Sequence, residues 1–257
     1  MKVRSIRIVT AAVAFAPLIA VAQSTLEEVV VIAQKREEPL QSVPIAATAL
    51  TAAALESRFI KDFTDVSGAL PNASLEAEGI SNYAASFYIR GQGVQNRGPF
   101  VDPAVAVIVD GVTEGRIATT LSDFLDIEAI EVLRGPQGTL QGRNATGGAV
   151  LVRHAAPDVD EFGGNFGVLV GNYGRRDVKG VLNLPIVEGS SAFRIAAKWT
   201  ETDGFYKNFI NGRSDNITGQ DRISVLPSFL IRGEEWDLTL RGEYARYRDG
   251  ASTIIPR

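Results

Sequence analysis

The sequence predicts a mixed α+β domain followed, in the same chain, by long antiparallel β-strands. Three observations predict it. Residues 40–157 interleave short apolar runs with two capped helical stretches, and a glycine-dense stretch, Leu133–Val150, interrupts strand-like sequence. From Phe162 to Tyr247 apolar and polar residues then alternate in segments about ten residues long, bounded by Gly, Asn and Asp.

The chain opens with Lys2, Arg4 and Arg7, an apolar run from Ile8 to Val21 and the small-residue site Ala20-Val21-Ala22. That order predicts a secretory signal peptide over residues 1–22. The run is shorter than the roughly 20 residues that span a bilayer as a helix, and nothing downstream supplies another. Its removal leaves a chain more acidic than the formal net charge of −4, which disfavours sequence-independent nucleic-acid binding. With no cysteine, disulfides, thiolate chemistry and Cys-built metal sites are excluded. The single histidine, His154, precedes Ala-Ala-Pro at the end of an apolar strand and reads as a boundary residue. No nucleophile–base set, metal cluster or cofactor motif points to an enzyme.

Leu26-Glu27-Glu28-Val29-Val30-Val31-Ile32-Ala33 follows, then the charged run Gln34–Glu38 and Pro39. Four β-branched residues in succession favour an extended chain. Two readings fit equally: an ordinary first strand, or a strand that adds to the exposed sheet edge of another protein. Val43–Leu50 then reads as a strand, Thr51 as the N-cap of a helix over Ala52–Arg58, and Asp62 as the cap of Phe63–Ala69, which Pro71 stops. Strands are expected at Ala85–Arg90 and Val105–Val109, the latter running into the tight-turn pair Asp110-Gly111. Ser122–Phe124 reads as the end of a short helix. Ile130–Arg134 leads into the glycine stretch and Ala149–Arg153 leads out of it.

Gly135, Gly138, Gly142, Gly147 and Gly148, with Gly91 in a second Arg-Gly pair upstream, allow left-handed backbone and close approach to a neighbouring wall. A phosphate-binding loop is excluded, because Gly142 and Gly147 have the spacing but Gly148 and Ala149 stand where Lys and Ser/Thr belong. The dinucleotide fingerprint fails as well, since the run from Gly91 ends on Asn96. An irregular glycine turn in a β-rich domain remains open.

In the last hundred residues Phe193, Ile195, Ala197 and Trp199 alternate with Arg194, Ala196, Lys198 and Thr200. Ile223, Val225, Phe229 and Ile231 alternate with polar partners in the same way, as do Trp236, Leu238, Leu240 and Tyr244. Outer-membrane barrel strands have this pattern, and so does a soluble antiparallel sandwich.

Taken in order, LEEVVVIAQKREE, YIRGQG, VAVIVDGV and IEAIEVLRGPQGTLQGRNATGGAV resemble the TonB-dependent outer-membrane receptor family. The resemblance implies an α+β plug domain (40–157) inside a 22-stranded β-barrel of the Gram-negative outer membrane. It implies a TonB box and linker over 23–39, and the start of the barrel over 158–257. Leu26, Glu27, Glu28, Val29, Val30, Val31, Ile32 and Ala33 match the box, which would add as a strand to TonB and its inner-membrane energising complex. Arg90, Gly91, Arg134, Gly135, Gly138, Gly142 and Arg143 fall where family plugs contact the barrel, the arginines towards wall carboxylates. With few residues before the box, the resemblance implies a transporter type without an N-terminal signalling domain, its default cargo a ferric siderophore.

The chain departs from the family in extent. About five strands are expected, Gly164–Asn172, Asp177–Ile186, Ala192–Thr200, Arg222–Arg232 and Glu235–Tyr247, and five transmembrane β-strands form an incomplete barrel. The terminal Ile254-Ile255-Pro256-Arg257 is not an aromatic closing strand. Two expectations follow: the N-terminal part of a transporter, or a truncated periplasmic TonB-binding module or remnant.

Overall fold

A computed structural model describes residues 29–32, 35–36, 38–77, 85–94, 102–114, 124–207 and 216–250. The expected signal peptide, Leu26–Glu28, Ala33, Ser122 and the final residues 251–257 lie outside the described set.

The first part builds a five-stranded mixed sheet. Short strands β1 (Val30–Val31) and β2 (Glu38–Pro39) precede β3 (Ala46–Thr51), the helices α1 (Ala52–Ser57) and α2 (Phe63–Ala69), and the hairpin β4 (Ala73–Ala77) and β5 (Ala85–Ile89). Then come β6 (Val105–Val109), β7 (Val112–Thr113), β8 (Ile127–Arg134), α3 (Gly138–Gln141) and β9 (Gly148–His154). The sheet order is β3-β8-β9-β6-β7, antiparallel except for the parallel pair β6/β9.

Local chemistry sets these boundaries. Thr51 caps α1 by accepting from the Ala54 N–H, and Asp62 accepts from the Asp65 N–H at the start of α2. The strand expected from Val43 begins only at Ala46, because Pro44 has no N–H to give the ladder. Asp110 and Gly111 both have positive φ, 47° and 84°, and close the β6/β7 hairpin as a two-residue turn. Phe124 lies in irregular backbone and packs edge-on to Phe63, with ring centroids 4.7 Å apart.

Period-two alternation splits the sheet between two cores. Ile130, Val132, Val150 and Val152 face α1, α2 and the β4/β5 hairpin, among Leu55, Phe63, Val66 and Leu75. Leu133, Ala149, Ala106 and Ile108 face the other way, onto Val31 and Val43.

The second part is a separate antiparallel sheet: β10 (Gly163–Val170), β11 (Arg176–Val187), β12 (Ser191–Thr202), β13 (Tyr206–Lys207), β14 (Asn216–Ile217), β15 (Gln220–Arg232), β16 (Asp237–Arg241) and β17 (Tyr244–Tyr247). Its order is β10-β11-β12-β15-β16, with β17 also on β15, while β13 and β14 pair with each other. The strand expected over Glu235–Tyr247 is thus two pieces. The break falls at Gly242, whose N–H reaches the carbonyl of Pro227, a residue with no N–H to return. At one end short turns join β11 to β12 and β15 to β16, where the Arg232 N–H donates to the Ser190 carbonyl. At the other, β12 and β15 are further apart in sequence, and the Asp203 N–H after β12 donates to the Tyr173 carbonyl of the 171–175 turn. Short turns at one end and longer loops at the other are the usual asymmetry of outer-membrane barrels.

The sheet is inside-out relative to a soluble one. Ala192, Ala196, Thr200, Arg222, Ser224 and Ser228 are buried, whereas Phe166, Val168, Val170, Leu238, Leu240 and Tyr244 are exposed. Leu125 of the first domain packs on Ala196 and Leu226, and Val159 of the connector on Ala192 and Leu230. A sandwich buries its apolar face against its partner sheet; here the small and polar face covers the first domain and the apolar face points outward.

The glycine stretch packs against its own domain. A Cβ at Gly148 would collide with the Leu133 carbonyl and sit 2.6 Å from Ile89 Cδ1, and one at Gly147 would meet Gln92 at 3.1 Å. For these two glycines the wall expected to be the barrel is formed by the domain's own backbone and side chains. Gly148→Ala should destabilise the chain by about 2 kcal/mol or more, whereas Gly138→Ala, with open space around it, should change stability by less than about 0.5 kcal/mol. Denaturant midpoints of the two variants check this.

Candidate functional site

The site consists of the apolar strand at the N-terminus and the surfaces that hold it. Of the expected box residues, Val29, Val30, Val31 and Ile32 are described, and they are stowed on the first domain. Val30 pairs with Pro39 and Val31 with Glu38, and the Leu40 N–H donates to the Val29 carbonyl at 2.9 Å. Val31 is 0 % exposed, enclosed by Val43, Ala106, Ile108, Leu133 and Ala149, while Val30 on the free edge is 43 % exposed.

Ile32 makes the one charge-assisted contact among the described residues of this strand. The Ile32 N–H donates to both carboxylate oxygens of Glu131, at 2.9 and 3.1 Å. Glu131 sits mid-β8 on the face opposite α1 and α2, 3 % exposed. Burial pushes its carboxyl above the usual range, opposed by the Ile32 N–H and Arg153, while nearby Glu128 adds to the rise. Arg153 Nη1 lies 3.8 Å from Glu131, and its Nε lies 3.0 Å from Glu128. A cavity of about 560 Å³ adjoins this group and runs past His154 and Asp110 to Thr239 and Arg241 of the wall.

The residues expected at the plug–barrel boundary are brought together in part. Arg90 and Gly91, with φ of 52° and 76°, form a tight turn closed by reciprocal bonds between Ile89 and Gln92. Arg90 Nη1 lies against Gly135, so the two Arg-Gly pairs meet. Arg134 donates to the Thr48 hydroxyl, while its Nε is buried without a partner. Gly138, Gly142 and Arg143 are exposed on α3 and the turn after it. Among the described residues, neither Arg90 nor Arg134 has a carboxylate partner.

The observed ion pairs between the first domain and the wall have the opposite polarity, with the acid on the domain and the base on the wall. Arg194 of β12 grips Asp126 with two bonds of 2.6 Å, the acid's side chain only 8 % exposed. Arg241 of β16 pairs with Asp110 at 2.5 Å and donates to the Ala155 carbonyl, and Lys179 reaches Glu56 at 3.1 Å. Sequence reading missed these pairs, although the alternation had already put Arg194 and Lys198 on the polar parity, where buried cations need acids.

Asp110 also holds His154, accepting from its backbone N–H at 3.0 Å and meeting Nδ1 at 2.8 Å. His154 is therefore a fixed boundary residue at the end of β9. Burial would raise the Asp110 carboxyl, but the bonds from His154 and Arg241 outweigh it and hold the group at about 2 instead of 3.8. Its folded value is the lower one, so its contribution is present above about pH 4 and is lost as pH falls towards 2. Asp110→Asn should flatten the loss of stability over that interval, measured as denaturant midpoint against pH.

Comparison with known proteins agrees with this geometry. Residues 39–149 match the family described as TonB-dependent Receptor Plug Domain. The pesticin receptor of Yersinia pestis is 31% identical over 146 residues, which is 55% of this chain and 21% of that protein. The vitamin B12 transporter BtuB of Vibrio vulnificus is 27% identical over 185 residues, 70% of this chain and 29% of that one. Among solved structures, the ferric yersiniabactin uptake receptor FyuA of Yersinia pestis superposes with a TM-score of 0.70 at 25% identity, covering 78% of this chain and 31% of that one. The pyoverdine receptor FpvA of Pseudomonas aeruginosa superposes at 0.71 and 17% identity, with 87% and 31% covered. This chain thus spans between about a fifth and a third of the length of these relatives. Residues 39–149 thus belong to the TonB-dependent receptor plug family, and the strands that cover this domain resemble the first wall strands of the outer-membrane receptors with which it superposes.

Proposed function

We propose that the chain supplies the plug and first wall strands of an energised importer, and that Leu26–Ala33 is the box that TonB captures. The boundaries follow from that reading: signal peptide 1–22, box and linker 23–39, plug 40–157, wall 158–257. The observation that carries it is the way Val29–Ile32 is held. A two-residue ladder, one buried valine and one carboxylate contact stow an apolar strand with few bonds, each of which another sheet edge could replace. The free edge at Val30 is where a partner strand would begin.

The exposed Arg90, Gly138, Gly142 and Arg143, with Arg134, Gly91 and Gly135, present a face that further wall carboxylates would cover. A periplasmic module would leave Phe166, Val168, Leu238 and Leu240 in water, whereas lipid suits them, so the membrane-inserted reading is the better one. Solved relatives include a ferric yersiniabactin uptake receptor, a pyoverdine receptor and a siderophore receptor, which supports a ferric siderophore as cargo and a transport role in place of catalysis.

In a receptor carrying the complete wall, Val30→Pro should abolish energised uptake of ferric siderophore while leaving its binding intact, because proline resists strand pairing. Uptake at the unaltered rate would overturn the box assignment. Recovery of the product in the soluble periplasm would overturn the membrane-inserted reading.

A further inference from the structure

We propose that Glu131 is a two-position latch: it holds the N-terminal strand through the Ile32 N–H, and Arg153 takes over its carboxylate when that strand leaves. The proposal rests on the reading of Leu26–Ala33 as the box and names what keeps it docked.

Three observations carry it. Glu131 is the polar side chain on an otherwise apolar stretch of β8, and its burial pattern there matches its core neighbours Ile130, Val132 and Leu133. A buried carboxylate needs donors, and among the described residues its hydrogen bonds come from a backbone amide of the very segment that must depart. Release without replacement would leave the acid buried and unpaired beside Glu128, which is unfavourable for both carboxylates.

Arg153 is placed to prevent that outcome. It stands on β9 next to β8, with Nη1 3.8 Å from Glu131, beyond hydrogen-bond range but within a small rotation of it. Its Nε is buried and makes no hydrogen bond, although Glu128 Oε2 lies 3.0 Å away, so the guanidinium has donor capacity in reserve. The adjoining cavity gives the side chain room to turn. Docked, Glu131 is satisfied by Ile32; undocked, a charge-assisted pair with Arg153 replaces that bond. The strand is held by few contacts, and its release leaves no orphaned charge behind.

The two partners predict opposite effects, which separates a latch from simple structural support. Hydrogen exchange at the Ile32 amide in the folded chain reads the docked population directly. Glu131→Ala should speed exchange by about tenfold or more, and Glu131→Gln, which keeps an acceptor without charge, by less. Arg153→Met should slow it, because the carboxylate then has no alternative partner. Val132 and Val150 amides report whether each variant is folded, and Glu131→Gln serves if Glu131→Ala is not. Exchange unchanged in both Glu131 variants overturns the latch, and faster exchange in Arg153→Met overturns the takeover. These readouts need no TonB, so they stand or fall separately from the uptake test of Val30→Pro.

Discussion

The pairing of β8 between β3 and β9 is the constraint on which the plug depends. Its alternation sends Ile130 and Val132 into the helical core and Leu133 and Glu131 towards the N-terminal strand. A slip of one residue would place Glu131 among the aromatic rings of Phe63 and Phe87 and turn Ile130 towards the stowed strand. Register here is therefore enforced twice, by the apolar core on one face and by a buried acid with a specific donor on the other. The strand's exit is fixed as well, since Gly148 must lie flat against the Leu133 carbonyl and no side chain fits there.

Much of this was legible in the sequence. The caps at Thr51 and Asp62, the Asp110-Gly111 turn and the alternation of the wall strands are local signals, and local signals carry their own physics. The resemblance carried the family. The partners of charged residues were less legible, because they depend on which elements meet across a sequence gap. Asp126 and Arg194 are 68 residues apart, and Glu131 and Ile32 are 99. Nothing near Asp126 in sequence marks it as a wall contact, although its positive φ of 56° shows a backbone bent to present it. The family pattern suggested arginines on the plug and acids on the wall, and the pairs formed by this part of the wall run the other way.

The wall strands show how one alternation can support two architectures until burial decides. Period two says only that the faces differ. Ala192 and Ala196, both fully buried, show which face meets protein, because their small side chains leave room for Val159 and Leu125 to pack between them and Leu230 and Leu226. The polar residues among them, Arg194, Arg222 and Ser228, are then obliged to find partners, and Asp126, Asp249 and Arg241 supply them.

The ladder between β1 and β2 also has a mechanical meaning. Its strands are joined by a short link, so tension at the N-terminal end separates them like a zipper, one bond at a time, not all together. Among the described residues, the next strand along the chain, β3, is an edge strand whose ladder partner is β8. A pull from this end thus meets weak attachments before strong ones, and the central strands of the sheet bear load last.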